Sequence, residues 1–297
     1  MTILIFAIAI LAVFFLTVMA VDCNRFVIRK YKYKSAKLQK DGTVILLSDL
    51  HNKSFGKENS KLIAAIRKIN PDMILVAGDM YTSISDGDIK VAQKLISTLA
   101  MEYPVYYGNG NHEYKTRLFP ECFGTMYEEF FEGISKVRVR HLVNEKITLP
   151  EYNADIYGLE IGREYYKKFK SVQMKPEYLD MLLGKPDETK VSILIAHNPD
   201  YFQTYAAWGA DLVVSGHVHG GLMRLPVLGG VLSPAIKFFP QYDGGEFREN
   251  SSAMILGRGL GTHTLPIRIF NPGDLVVIDL CQNKKKTGVH GKIFGAL

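Results

Sequence analysis

Five short clusters of Asp, Asn and His punctuate this chain, each just beyond a short apolar run. They are Asp49-Leu50-His51, Gly78-Asp79, Gly110-Asn111-His112-Glu113, His197-Asn198 and Gly216-His217-Val218-His219. Five of the eight histidines fall inside them. Together they offer imidazole nitrogens and carboxylate or amide oxygens, and no thiolate. Such a donor set suits hard-to-borderline divalent ions at a hydrolytic site rather than a structural zinc finger. There are enough donors for two ions, the arrangement that clamps a phosphoryl group from both sides.

The elements that must position these clusters can be read from the apolar pattern. Val44-Ile45-Leu46-Leu47, Met73-Ile74-Leu75-Val76 and Val105-Tyr106-Tyr107 are short continuous apolar runs. Helical spacing fills Glu58 to Ile69 and Ile89 to Leu99 between them. Buried strands alternating with amphipathic helices predict parallel βαβ units. Further strands are expected at 138–143, 154–159, 191–196 and 211–214, with a helix near 199–207. A Gly- and Pro-rich β region follows over 222–280. In parallel sheets, ligands sit beyond the carboxyl ends of the strands, where the clusters fall.

Each cluster alone has an ordinary explanation. Asp49 and His51 could be surface polar residues, although i and i+2 on an extended segment point the same way. Asp79 could be a turn or helix cap, Asn111-His112-Glu113 a helix start, and His197 a core histidine. Two histidines two apart between glycines, His217 and His219, have fewer structural reasons to exist. The joint, ordered occurrence of all five is what points to a metal site.

That ordered pattern resembles the calcineurin-like metallophosphoesterases, whose blocks are D-x-H, G-D, G-N-H-[DE], a lone H and G-H-x-H. All five blocks stand here over about residues 43–280. The resemblance implies an α/β fold, a four-layer α/β/β/α sandwich. It implies two divalent metal ions, Mn²⁺ first, with Fe, Zn or Mg as alternatives. One ion would take Asp49, His51 and His219, the other Asn111, His197 and His217, with Asp79 bridging. His112 matches the catalytic residue that hydrogen-bonds a phosphate oxygen or protonates the leaving alkoxide. Asn111 and Arg258 are candidate substrate contacts, and Glu113 is given no catalytic role. The implied activity is hydrolysis of a phosphate ester, with phosphodiester or pyrophosphate bonds of a lipid- or nucleotide-linked substrate favoured. The alternatives are a UDP-2,3-diacylglucosamine pyrophosphatase, a protein phosphatase, or a scaffold that has lost catalysis. The scaffold reading is opposed by the completeness of the five blocks.

Residues 1–21 are uncharged and, except for Thr2 and Thr17, apolar, and 21 helical residues span about 31 Å, enough to cross a bilayer. A cleaved signal peptide competes, with Val18-Met19-Ala20 as a cleavage site, but no basic segment precedes Ile3. Residues 22–40 hold seven Lys or Arg against Asp22 alone, which places the following domain in the cytoplasm by the positive-inside rule. The expected organisation is an anchor at 1–21, a basic juxtamembrane segment at 22–40, a metallophosphoesterase domain at 41–281 and a basic tail at 282–297. This resembles the membrane-associated bacterial branch of the family, at the inner membrane. Residues 41–297 carry 29 basic and 29 acidic side chains, so no nucleic-acid footprint is expected there. Three cysteines outside every motif, Cys23, Cys122 and Cys281, do not read as a disulfide framework.

Several residues outside the clusters remain open. Arg163 after an expected strand could hold a phosphate or simply be solvated. Arg258 between glycines is an anion contact or a structural residue. His263 is a loop histidine that could line the site. Trp208 reads as packing. Phe238-Phe239, between Lys237 and Pro240, is expected as an exposed apolar rim suited to a lipid-bearing phosphate.

Overall fold

A computed structural model describes residues 1–167, 172–225, 229–231, 238–262 and 266–283. Fourteen strands are present among them. They are β1 (Phe26–Ser35), β2 (Gly42–Leu47), β3 (Met73–Ala77), β4 (Val105–Gly108), β5 (Val139–Leu142), β6 (Glu145–Leu149) and β7 (Ala154–Leu159). There follow β8 (Val191–Ala196), β9 (Leu212–Ser215), β10 (Arg224–Leu225), β11 (Gly229–Gly230), β12 (Gly245–Glu249), β13 (Ser252–Leu256) and β14 (Gly273–Gln282). The α-helices are α1 (Thr2–Asp22), α2 (Ser60–Ile69), α3 (Lys90–Glu102), α4 (Asn111–Leu118), α5 (Pro120–Phe123), α6 (Met126–Ile134), α7 (Pro176–Leu183) and α8 (Phe202–Trp208).

Two six-stranded sheets stack face to face, in the orders β1-β14-β2-β3-β4-β5 and β12-β13-β9-β8-β7-β6. In the first, β2, β3, β4 and β5 are parallel; in the second, β7, β8, β9 and β13 are parallel. Each central strand is buried on both faces, which is why it reads as an unbroken apolar run. Alternation splits β3 between two cores. Ile74 and Val76 meet α2, α3 and α6 on the outer face, while Met73, Leu75 and Ala77 face the second sheet. Tyr157, Leu194 and Val213 point the other way, onto α7 and α8. The result is the expected α/β/β/α sandwich, with α1 as an additional apolar helix. By length and composition α1 could cross a membrane. Its apolar side chains are exposed along most of its length.

The basic stretch after α1 departs from expectation. Residues 22–40 do not lie outside the domain, because Phe26–Ser35 forms β1 and pairs with β14 along its whole length. The strand alternates. Lys30, Lys32 and Lys34 face solvent, while Tyr33 is buried in the inter-sheet core with Leu38. The charge run therefore masked a period-two pattern, and lysines on an edge strand also discourage pairing with another chain. The helices α5, α6 and α7 and strand β6 were not anticipated either, whereas α4 opens at Asn111, where a helix start was one reading. Trp208 is buried and donates its Nε1–H to the Gly184 carbonyl at 3.0 Å. Cys23, Cys122 and Cys281 are free thiols. The Lys284-Lys285-Lys286 tail, Lys237 and His263 lie outside the described residues.

A fragment beginning at residue 41 would lose β1, Tyr33 and Leu38. At about 1.5–3 kcal/mol per large apolar side chain, the two core residues alone are worth about 3–6 kcal/mol. Thermal unfolding should show this fragment unfolded or aggregated where one beginning at Asp22 stays folded. Equal melting temperatures would contradict the inclusion of β1 in the domain.

Candidate metal centre

Five loops converge at the carboxyl ends of the parallel strands. Asp49 and His51 follow β2, Asp79 follows β3, and Asn111 and His112 follow β4. His197 follows β8, and His217 and His219 follow β9. Three loops thus come from one sheet and two from the other, and the site lies where the sheets meet.

Local backbone geometry is unusual at these positions. Asp49, His51, Asp79, His217 and His219 all have positive φ, between 46° and 77°. Non-glycine residues seldom adopt this region, at a cost of about 1–3 kcal/mol each. Five expected ligands in that state mark strain concentrated at one place. Glycines make room for them. A Cβ on Gly110 would stand 2.2 Å from Asp79 Oδ1, and one on Gly216 would stand 2.3 Å from Asp49 Oδ2. Backbone therefore comes up against both carboxylates.

The side chains face one another. His51 Nε2 is 3.2 Å from His219 Nε2, which is 3.4 Å from Asp49 Oδ1. His197 Nε2 is 3.0 Å from Asp79 Oδ2 and 3.2 Å from Asn111 Oδ1. The His217 ring centre lies 5.1 Å from that of His197. Donor atoms of Asp49, His51 and His219 lie within 4.8 Å of one another, as do those of Asp79, His197 and His217. A third group with the same closeness, His51, Asp79 and His112, straddles these two.

This donor set fits bound cations on electrostatic grounds. The backbone carbonyl of Ala77 can only accept, so His197 Nδ1, 2.6 Å away, must carry the hydrogen. In neutral His197, Nε2 then presents a lone pair to two oxygens, those of Asp79 and Asn111. Acceptors crowded in this way require a positive charge among them, either a proton or a metal ion. Burial opposes the charged form of His197, yet Asp79 and Asp49 outweigh it and raise its pKa to about 10. Burial pushes Asp49 up to about 6, with Asp79 adding to the rise and His197 opposing it. Burial acts on Asp79 in the same sense, but His197, His112 and His51 hold it well below the usual carboxylate range.

His112 is oriented from behind. The Ser83 backbone N–H donates to His112 Nδ1 at 2.9 Å, and Ser83 Oγ is 2.8 Å from the same nitrogen. A backbone N–H cannot accept, so the neutral ring carries its hydrogen on Nε2. That atom is 4.0 Å from Asp79 Oδ2. Burial lowers the pKa of His112, which favours this neutral form.

Glu113 holds the loops in place. Wholly buried, it accepts from the N–H groups of Asp79 (2.8 Å), Met80 (2.9 Å) and Gly110 (3.0 Å), and from the Tyr107 hydroxyl (2.8 Å). Burial and the Asp79 charge push its pKa up to about 7, against the pull of these donors. Gly78 and Gly110 allow the contact: a Cβ on Gly78 would lie 2.1 Å from the Gly110 nitrogen. The sequence contains a hint of this, since Glu at the third position of a helix that opens at Asn111 is a capping-box residue. No comparable signal announced Ser83. Tyr166, whose ring centre is 5.5 Å from that of His217, was likewise missed.

The two arginines read as either site or structural residues make contacts of another kind. Arg258 lies against Gly220 and Gly244, and its Nε faces Asp274 at 3.8 Å rather than a site carboxylate. Arg163 is exposed, with its guanidinium 4.6 Å above the Phe119 ring.

The signature of the calcineurin-like phosphoesterase family matches residues 42–221, and the chain belongs to that family. It is 26% identical over 261 residues to an uncharacterized metallophosphoesterase of Campylobacter jejuni, covering 83% of this chain and 61% of that one. A Helicobacter pylori metallophosphoesterase is also 26% identical, over 249 residues, covering 82% of this chain and 61% of the relative. This chain thus spans about three fifths of these relatives' length. The uncharacterized protein YpbG of Bacillus subtilis is 22% identical over 244 residues, covering 80% of this chain and 81% of that one.

Replacing Glu113 by Ala leaves three buried N–H groups without their acceptor, at about 1–3 kcal/mol each. The loss should exceed about 3 kcal/mol and lower the melting temperature by about 6–12 °C. Glu113→Gln, which retains one oxygen, should lose less. A Glu113→Ala melting temperature within a degree or two of wild type would show that the loops hold themselves.

Proposed function

We propose that this protein is a metal-dependent phosphoric ester hydrolase whose site is formed by Asp49, His51, Asp79, Asn111, His197, His217 and His219, with His112 beside it. The observation that carries this reading is the convergence of these side chains at the meeting edge of two sheets, with acceptor atoms turned towards each other. Asp49, His51 and His219 would hold one divalent ion, Asn111, His197 and His217 the other, and Asp79 both. Bound there, two cations would neutralise phosphoryl oxygens and activate water near neutral pH. Mn²⁺ is our first choice among ions that this nitrogen and oxygen set accepts, ahead of Fe, Zn and Mg.

The chain's own residues would do the rest. Ala77 O fixes the His197 ring so that Nε2 faces the site. The backbone N–H groups of His217 and His112 donate to Asp49 and Asp79, keeping both carboxylates aimed inwards. His112, its Nδ1 occupied by Ser83, would present Nε2–H to a phosphoryl oxygen. Proton delivery to the leaving oxygen would require an imidazolium, which the Ser83 N–H opposes. The geometry therefore favours a hydrogen-bond donor over a general acid. A substrate role for Arg258 would require its guanidinium to turn away from Asp274.

The favoured substrate is a phosphodiester or pyrophosphate carried by a lipid, met at the inner face of the cytoplasmic membrane with α1 as anchor. Phe238 and Phe239 are 70% and 56% exposed. Single backbone bonds join Phe239 to Val231, Val231 to Met223, and Leu222 to Ile269. The half-exposed Phe270 beside Ile269 meets Phe14 and Phe15 of α1 at ring distances of 6.3 and 6.2 Å. An apolar flank thus runs from α1 to the segment just beyond His219. The test is a metal-supplemented screen of the full-length protein in detergent micelles with a phosphomonoester, an aryl phosphodiester and a UDP-linked acylated sugar. Turnover of none of them would leave the family's catalytically silent alternative.

His112→Ala should leave metal content intact and lower turnover by about 10²–10³-fold, as for loss of one oxyanion donor. The drop should be similar for nitrophenyl and alkyl esters. A much smaller drop for the nitrophenyl ester would instead indicate proton delivery to the leaving group. Replacing Phe238 and Phe239 together by Ser should weaken binding of acylated substrates and hardly change hydrolysis of a small soluble ester. Equal effects on both would mean that the pair serves the fold rather than the substrate.

A further inference from the structure

The end of the apolar helix is tied to the loop that carries His219. Asp22, the last residue of α1, is only 2% exposed. Its Oδ1 pairs with Arg25 at 2.7 Å, and its Oδ2 accepts the backbone N–H of Asn271 at 3.0 Å. Asn271 is wholly buried, and its side-chain Nδ2 donates to the carbonyls of His219 and Gly221, each at 2.7 Å. These carbonyls flank a run of three left-handed residues, His219, Gly220 and Gly221, at φ 53°, 69° and 83°. Such a run forms neither helix nor strand, so its carbonyls need partners from elsewhere. Asn271 supplies them at both ends.

Asn271 belongs to a strap, residues 258–262 and 266–271, that reaches the other side of the site. The buried Arg268 guanidinium donates to the carbonyls of Arg258, Gly259 and Asn271, fixing the strap's shape. Gly261 N–H donates to Asp49 O at 2.7 Å, and Leu260 N–H to Ser48 O at 3.1 Å. Gly259, at φ 67°, stands so close that a Cβ would lie 2.7 Å from that of Asp49 and 3.2 Å from His219 Nδ1. Beyond His51, Lys53 Nζ donates to Asn24 Oδ1 at 2.7 Å, just past the helix end. Every loop of the Asp49, His51 and His219 group is thus in contact with the helix end or the strap beneath it. The His197 and Asn111 loops are held instead by Ala77 and Glu113.

We propose that Asp22 and Asn271 are positioning residues that make the affinity of the Asp49–His51–His219 ion site depend on the docking of α1. This rests on the reading of His219 as a metal ligand. Detaching the helix end would loosen the Asp49–His51–His219 ion more than the other, whose His217 shares the His219 loop but whose His197 and Asn111 loops are held by Ala77 and Glu113. An anchor coupled in this way would render the enzyme fully loaded only when its helix end is seated.

The test uses full-length protein in detergent micelles, stripped with chelator and titrated with Mn²⁺ while free ion is followed by paramagnetic resonance. Wild type should bind two ions. His219→Ala should weaken one of them, and Asp22→Ala and Asn271→Ala should weaken that same one by about 10–100-fold, the usual effect of removing a partner behind a ligand. Asp22→Asn, which retains an acceptor oxygen, should recover most of the loss. Wild-type affinities at both sites in folded Asp22→Ala would overturn the proposal. No change in His219→Ala would instead overturn the ligand reading on which it rests. A readout without mutation covers the case in which Asp22→Ala does not fold. Coupling is reciprocal, so Mn²⁺ loading must slow hydrogen exchange of the Asn271 amide. An unchanged exchange rate would also overturn the proposal.

Discussion

The site depends on a single buried carboxylate that never faces it. Glu113 accepts three backbone N–H groups and one phenolic hydroxyl. Two of those N–H groups belong to the loop after β3 and one to the loop after β4. Both loops turn too sharply to satisfy their own backbone, and they approach each other through glycines. Without a shared acceptor they would have buried, unpaired donors. With it, Asp79 is set at the start of α4, where the His112 N–H reaches its Oδ1 at 2.8 Å. The geometry of the candidate site thus rests on a structural carboxylate.

A second constraint is electrostatic. Asp49 and Asp79 are both buried beside five histidines, each with a ring nitrogen within 4.8 Å of a carboxylate oxygen. Repulsion between the two carboxylates and the lone pairs around them is relieved only by positive charge in the middle. Protons supply it in part, as the raised pKa of His197 indicates. Divalent cations would supply it more fully, and their binding would stabilise the strained left-handed residues that surround them. The strain at Asp49, His51, Asp79, His217 and His219 is then part of a site formed in advance of its ions.

How much of this was legible in the sequence differs by residue. Local signals were strong where a buried parallel strand ends in a chemical cluster, as at Leu47-Ser48-Asp49 or Val214-Ser215-Gly216-His217. The apolar run and the polar cluster are contiguous there, and the sheet fixes where both must go. β1 was hidden because its Lys30, Lys32 and Lys34 read as a charge run while its alternation with Tyr31 and Tyr33 went unused. Glu113 was legible as part of a helix start but not as a clamp, since its partners at Asp79 and Met80 come from another loop. Asp22 and Asn271 are 249 residues apart, and nothing local marks either of them. Arg258 looked like an anion contact because glycines flank it. Those glycines instead clear space for Ser48, Asp49 and His219, while the Arg258 side chain packs against Gly220 and Gly244 and faces Asp274.

The measurement that most directly tests the account is anomalous diffraction at the Mn edge from crystals grown with Mn²⁺. The account predicts two peaks about 3.5–4 Å apart. One should lie among Asp49, His51 and His219, the other among Asn111, His197 and His217, with Asp79 between them. A single peak, or one centred on His51, Asp79 and His112, would contradict it.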